Sequence, residues 1–177
     1  VQEADQEQET ASDTELEAEQ ELASDFEAIV DEIKNEEETD SSVSGDTPIK
    51  IDLSKLRCLY IEDQVDSQIL FKVQMKELKE IKFAVSFEEA LPLLDSDSFD
   101  FIVMDINLQG EYNGLDALKL IRKMPTHENV PIIAVTAYVL PGDKEKFIAT
   151  GFSEFISKPI FKEKMLYSLM KIFSAEM

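Results

Sequence analysis

The sequence predicts a doubly wound α/β domain on a five-stranded parallel sheet, preceded by an acidic N-terminal tail. Three observations predict it. Between residues 53 and 175, short apolar runs alternate five times with segments of helical periodicity. That is the pattern of consecutive β-α units, which lay helices on both faces of a parallel sheet. Two of the runs, FIVM at 101–104 and PIIAV at 131–135, contain no charged or hydrogen-bonding side chain, as strands buried on both faces require. Polar residues with useful chemistry stand immediately after the runs, where open α/β sheets place their ligand sites.

The elements follow in order. Residues 56–61 (LRCLYI) read as the first buried strand, with Cys58 a small buried hydrophobe. Residues 67–80 carry Ile69, Leu70, Val73, Met75 and Leu78 at helical spacing. Lys72, Lys76 and Lys79 lie along a solvated face of the same stretch, which continues to Lys82. Residues 81–85 give the second strand, and 87–94 a short helix whose end Pro92 should weaken. Residues 101–104 are the third strand, and 115–124 a helix stopped by Pro125. Residues 131–135 are the fourth strand. Residues 143–150 form a helix closed by Gly151, just past its C-terminus. Residues 154–157 are the fifth strand, and 161–173 the last helix.

Charge divides the chain in two. The net charge of the 177 residues is -21. Residues 1–47 hold 18 acids against Lys34 alone, so the rest is nearly balanced. Residues 1–48 are expected to be a mostly disordered tail and linker, because so little apolar surface cannot offset ordering entropy. Within it, Leu22, Phe26, Ile29 and Ile33 suggest a short amphipathic helix over 21–34. An acidic chain is repelled by nucleic-acid backbones and by anionic membrane surfaces, so direct partners should be proteins. No run approaches the roughly 20 apolar residues that cross a bilayer, and the Gln/Glu-rich start is unlike a secretory leader. A lone cysteine excludes an intramolecular disulfide.

Chemistry gathers behind the strands. Glu62 and Asp63 follow the first, Asp105 the third, Thr136 the fourth, and Lys158-Pro159 the fifth. A parallel sheet brings all of these to one edge. Carboxylates crowded together raise one another's pKa unless a cation intervenes. Hard oxygen ligands suit Mg²⁺, which also shares phosphate oxygens. The cluster therefore predicts a metal and an incoming phosphoryl group. Asp105 is placed as nucleophile, Lys158 as a charge partner for a phosphoryl oxygen, and Thr136 as a hydroxyl donor.

The segments LYIEDQVDSQ, FIVMDINLQGEYNGLDAL, PIIAVTAY and FISKPI resemble the receiver domains of two-component response regulators, across residues 55–175. The resemblance implies a flavodoxin-like strand order of 2-1-3-4-5, with Asp105 as phosphoacceptor. It implies Mg²⁺ held by Asp63 and Asp105, by Glu62 through water, and by the backbone carbonyl of Asn107. Thr136 and Phe155 become the switch pair, and Lys158 stabilises the acyl phosphate beside a cis peptide at Pro159. The implied donor is a histidine kinase or histidine phosphotransfer protein, with a phosphorylation-dependent homodimer as a further expectation. Two departures stand out. Gln109 occupies a position often held by proline, in a loop one residue longer than usual, and Phe155 lacks a tyrosine's hydroxyl.

Two other readings fit the residues less well. A receiver-like binding module that needs no phosphorylation would lack an acceptor or acid, and none is lacking. An aspartyl phosphatase needs a second carboxylate two residues past its nucleophile, where this chain has Asn107. The expected activity is thus that of an acceptor with at most slow self-dephosphorylation, and not of an enzyme. His127 reads as a solvated loop residue and Tyr138 as a surface aromatic on a partner face. Starting at Val1 and ending on the last helix, the chain resembles the C-terminal receiver of a hybrid histidine kinase, with a free-standing response regulator as the alternative. Either placement implies the cytoplasm, tethered where the parent kinase is membrane-bound.

Overall fold

The computed structural model describes residues 50–175. The tail of residues 1–48 and the amphipathic helix expected at 21–34 lie outside the described residues. A 3₁₀ turn at Leu53–Lys55, capped by the Asp52 side chain, leads into the first strand. The strands are β1 (Arg57–Ile61), β2 (Glu80–Ala84), β3 (Phe101–Asp105), β4 (Ile132–Thr136) and β5 (Glu154–Ser157). The intervening helices are α1 (Val65–Gln74), α2 (Phe87–Ser96), α3 (Gly114–Ile121), α4 (Asp143–Thr150) and α5 (Lys162–Ala175). The sheet order is β2-β1-β3-β4-β5, parallel throughout, as the sequence predicts.

Side-chain alternation along each strand divides the interior into two cores. Leu59, Ile61, Ile102, Met104, Ile132 and Ala134 point to one face, where Phe87, Leu94, Leu118, Ile121 and Phe147 cover them from α2, α3 and α4. Cys58, Tyr60, Phe101, Val103, Ile133 and Val135 point to the other, under Phe71, Met165, Leu169 and Ile172 of α1 and α5. β3 and β4 are buried along their whole length. The Cys58 thiol is fully buried, and that burial pushes its pKa up.

Four local expectations are corrected. The helix expected over 67–80 is α1, which starts earlier and ends at Gln74. Its apolar residues do not all face inward: Ile69 and Val73 are 56% and 62% exposed, while Phe71 is fully buried. Met75 and Leu78 do reach the core, but from the turns that follow. The expected lysine face is solvated at Lys72, Lys76 and Lys79, whereas Lys82 lies on β2 and pairs with Asp97 at 2.7 Å. Pro92 does not weaken the end of α2, which runs to Ser96. Phe87 and Ala90 before it and Leu94 after it are all buried on the sheet, and this packing outweighs the missing N–H.

His127 is the fourth correction. It is 1% exposed, not solvated. Its Nδ1 lies 2.8 Å from Thr126 Oγ1, and its ring faces Phe99 at 6.5 Å between centroids. Phe99 reaches it from the segment before β3, distant in sequence. Burial pushes the His127 pKa below its ordinary value near 6.5. The unfolded chain therefore binds a proton that the folded chain resists, so stability is held above that value and lost as pH falls through it. His127→Gln should flatten the fall in urea-unfolding stability between neutral and mildly acidic pH.

One close approach ties a helix to the site. Asn113 caps α3, accepting from the Asp116 N–H at 3.0 Å while Asp116 accepts from the Asn113 N–H at 3.4 Å. Gly114 then enters α3 so near β3 that an added Cβ would lie 2.5 Å from the Asp105 carbonyl oxygen and 2.8 Å from Ile106 Cα. These are backbone atoms with no easy retreat. An alanine near a helix start is ordinarily favourable by up to about 1 kcal/mol over glycine. Here Gly114→Ala should instead destabilise by about 1–3 kcal/mol, the usual cost of overpacking, as read by urea unfolding.

Candidate functional site

The five strands end at one edge and carry their polar successors there. Asp105 closes β3 and is 4% exposed. Glu62 follows β1 and is fully buried, with Asp63 next to it and partly exposed. Carboxylate oxygens of Glu62, Asp63 and Asp105 lie within 4.8 Å of one another. Lys158, directly after β5, reaches across from the far side of the sheet. Its Nζ lies 2.6 Å from Glu62 Oε2 and 2.9 Å from Asp105 Oδ2. The Lys158-Pro159 peptide is cis.

Backbone groups hold the carboxylates. Asn107 N–H donates to Asp105 Oδ1 at 2.9 Å. Gln64 N–H donates to Glu62 Oε1 at 2.9 Å, and Gln68 Nε2 donates to the Glu62 carbonyl at 2.6 Å. These bonds fix the chain where it leaves β1 and β3. The Thr136 hydroxyl is buried at the end of β4. It accepts from Asn107 Nδ2 at 2.9 Å and from Tyr138 N–H at 3.2 Å. Asn107 thus spans the site, its N–H on Asp105 and its amide on Thr136.

Electrostatics follow from burial. Desolvation is the largest influence on Glu62 and raises its pKa; Asp105 adds to the rise, while Lys158, Gln64 and Tyr60 oppose it. Desolvation would lower Lys158, but its contacts with Glu62 and Asp105 prevail and hold the ammonium above its ordinary value. The ammonium therefore persists at neutral pH. One cation then faces three acids.

Every residue that the sequence placed at the strand ends is found at this edge. Phe155 is half-buried on β5, its ring stacked on Phe147 at 5.5 Å and 18°. Tyr138 is 81% exposed, as expected of a surface aromatic. The loop after Asp105, with Gln109 in place of proline, turns through Gly110 at φ 116°. It is secured where Glu111 N–H donates to Glu88 Oε1 at 3.1 Å. Glu88 and Tyr60 were not foreseen. Tyr60 is fully buried, and its hydroxyl donates to Glu62 Oε2 at 2.8 Å. The signal was present in the strand, because residues two apart share a face.

Known proteins agree with this geometry. Residues 58–170 match the response regulator receiver domain family. The chain is 32% identical over 94 residues to the signal transduction histidine-protein kinase BarA of Escherichia coli K12, covering 53% of this chain and 10% of that one. It is 40% identical over 72 residues to the polar-differentiation response regulator DivK of Brucella ovis, covering 41% of this chain and 58% of that one. The receiver domain of the sensor histidine kinase PA1611 from Pseudomonas aeruginosa, solved with a magnesium ion coordinated in its active site cleft, superimposes with a TM-score of 0.59. It is 25% identical and covers 67% of this chain and 98% of that one. The chemotaxis response regulator CheY4 of Vibrio cholerae, at 23% identity and a TM-score of 0.59 over 66% of this chain and 98% of that one, shares the fold. The chain thus spans about a tenth of the length of the BarA kinase and somewhat over half that of DivK. With the five-stranded order, the acidic cleft and the family match over residues 58–170 in agreement, this chain belongs to the response regulator receiver domains of two-component signalling.

Proposed function

We propose that the domain accepts a phosphoryl group on Asp105 from a phosphohistidine and serves as a relay point in a two-component phosphorelay. The observation that carries this reading is the setting of Asp105. It is a nearly buried carboxylate with Asn107 N–H on one oxygen and the Lys158 ammonium on the other. An Asp105 oxygen attacks phosphorus, the P–N bond breaks, and the imidazole leaves with the bonding pair. Lys158 stays beside the acyl phosphate as counter-charge, and the Thr136 hydroxyl turns to donate to it, releasing Asn107. Phe155 follows from its place on Phe147, and the face of α4, β5 and α5 changes. Self-dephosphorylation should be slow, because the position two residues past Asp105 is an amide, not a carboxyl.

The donor set fits Mg²⁺. Its oxygens are hard, close together and carry more negative charge than Lys158 can balance. Asp63 and Asp105 would hold the ion directly, with Glu62 through water and the Asn107 carbonyl completing the set. Bound there, the ion would neutralise charge on the transferred group. Asp105→Asn should abolish the single phosphoryl mass increment gained on incubation with acetyl phosphate and Mg²⁺. Labelling of that variant equal to wild type would overturn the reading.

The donor's approach is suggested by α1. Val65, Ile69 and Val73 recur every four residues and are 59%, 56% and 62% exposed, so they form one outward stripe. Beside it a groove of about 290 Å³ runs from Gln64, Ser67 and Leu70 to Lys158 and Pro159. An apolar stripe ending at the acceptor suits a helical, phosphohistidine-bearing partner. Family membership makes such partners histidine kinases or phosphotransfer proteins; which one serves here is part of the proposal, as is a kinase parent chain. Because Ile69 is exposed, Ile69→Asp should leave the melting temperature and labelling by acetyl phosphate intact. Transfer from a phosphorylated phosphotransfer protein should fall about tenfold or more, the effect of losing one interface hot spot.

A further inference from the structure

The Tyr60 hydroxyl is placed where a receiver core would otherwise need only a hydrocarbon. Its ring fills the core between Phe71 and Phe83, at 4.7 and 6.2 Å between centroids. Packing alone would be served equally by phenylalanine. The hydroxyl, however, ends 2.8 Å from Glu62 Oε2, the same oxygen that Lys158 Nζ meets at 2.6 Å. Glu62 Oε1 is taken by Gln64 N–H. Three donors thus occupy a carboxylate that offers about four acceptor directions. All three come from the protein's own elements: β1, the turn into α1, and the residue after β5.

We propose that Tyr60 is a positioning residue that commits Glu62 to Lys158 and withholds it from the metal side of the cleft. With its donor in place, Glu62 is an anchor for the lysine and keeps about one acceptor direction for the water of a hydrated cation. Without it, one more acceptor direction is free, and Glu62 can turn toward Asp63 and Asp105. The hydroxyl is the donor of this pair, on the carboxylate oxygen that also faces the Lys158 ammonium. In this way a residue outside the acid cluster sets how much of that cluster serves the ion. This inference rests on the acceptor-site reading above.

Tyr60→Phe keeps the ring and deletes the donor. By titration calorimetry, the Mg²⁺ dissociation constant should fall about fivefold, a modest share of what a hydrogen bond to a charged group is worth. In metal-free protein, the amide resonance of Gln64, which reports on Glu62 Oε1, should move. The affinity gain should vanish when Tyr60→Phe is combined with Glu62→Gln. Tyr60→Met, a second donor-free variant of different shape, should reproduce the gain. A purely structural hydroxyl would instead lower the melting temperature and leave Mg²⁺ affinity and the Gln64 amide unchanged, and that result overturns the proposal. An equal gain in the Glu62→Gln background overturns it also. Failure of the wild-type chain to bind Mg²⁺ would overturn the acceptor-site reading and this inference with it. Binding by wild type with no change in the variants overturns the role of Tyr60 alone.

Discussion

One ammonium group, set between two buried carboxylates, is the constraint on which the rest of the cleft depends. Lys158 touches Asp105, 53 residues before it, and Glu62, further back still at the end of β1, so no local segment could bring them together. Two acids buried this closely would be untenable alone, since each withdrawn charge costs several kcal/mol of solvation. The lysine offsets part of that cost, and backbone N–H groups of Gln64 and Asn107 offset more. What remains is an excess of negative charge, three carboxylates facing one ammonium.

The sheet makes this arrangement possible. All five strands run the same way, so their carboxyl ends open on a single edge. Burial of β3 and β4 on both faces holds Asp105 and Thr136 in fixed register, Asp105 beside Val135 across the ladder. Rigidity continues into α3, because Gly114 abuts the Asp105 backbone and its N–H donates to the Ile106 carbonyl at 3.1 Å. Asn107 provides a second link, bonded through its side chain to Thr136 and through its N–H to Asp105.

How much could be read from the sequence depended on how local each determinant is. The strands are legible because apolar runs such as FIVM and IIAV admit few readings, and the polar residues behind them, Asp105 and Thr136, mark the edge. The orientation of α1 is not. Its residues at 65, 69 and 73 make as regular an apolar stripe as any buried face, and only packing shows that Phe71 points inward instead. His127 is buried although a loop of PTHENV composition looks solvated, because the ring beside it, Phe99, comes from elsewhere in the chain. Tyr60 hid within an apolar run, where an aromatic ring is explained by its hydrocarbon and its hydroxyl goes unnoticed. Pro92 shows the converse, a strong local signal overruled by burial on both sides of it.

The sheet also separates two apolar interiors that share no residue. α1 stands over one, and α4 with Phe155 over the other. The outer stripe of α1 can therefore vary without touching the core under α4, whereas a change at Phe71 meets Met165 and Leu169 of α5 in one shared interior. A designer could likewise rewrite the exposed positions Val65, Ile69 and Val73 and leave the interior beneath α4 as it stands.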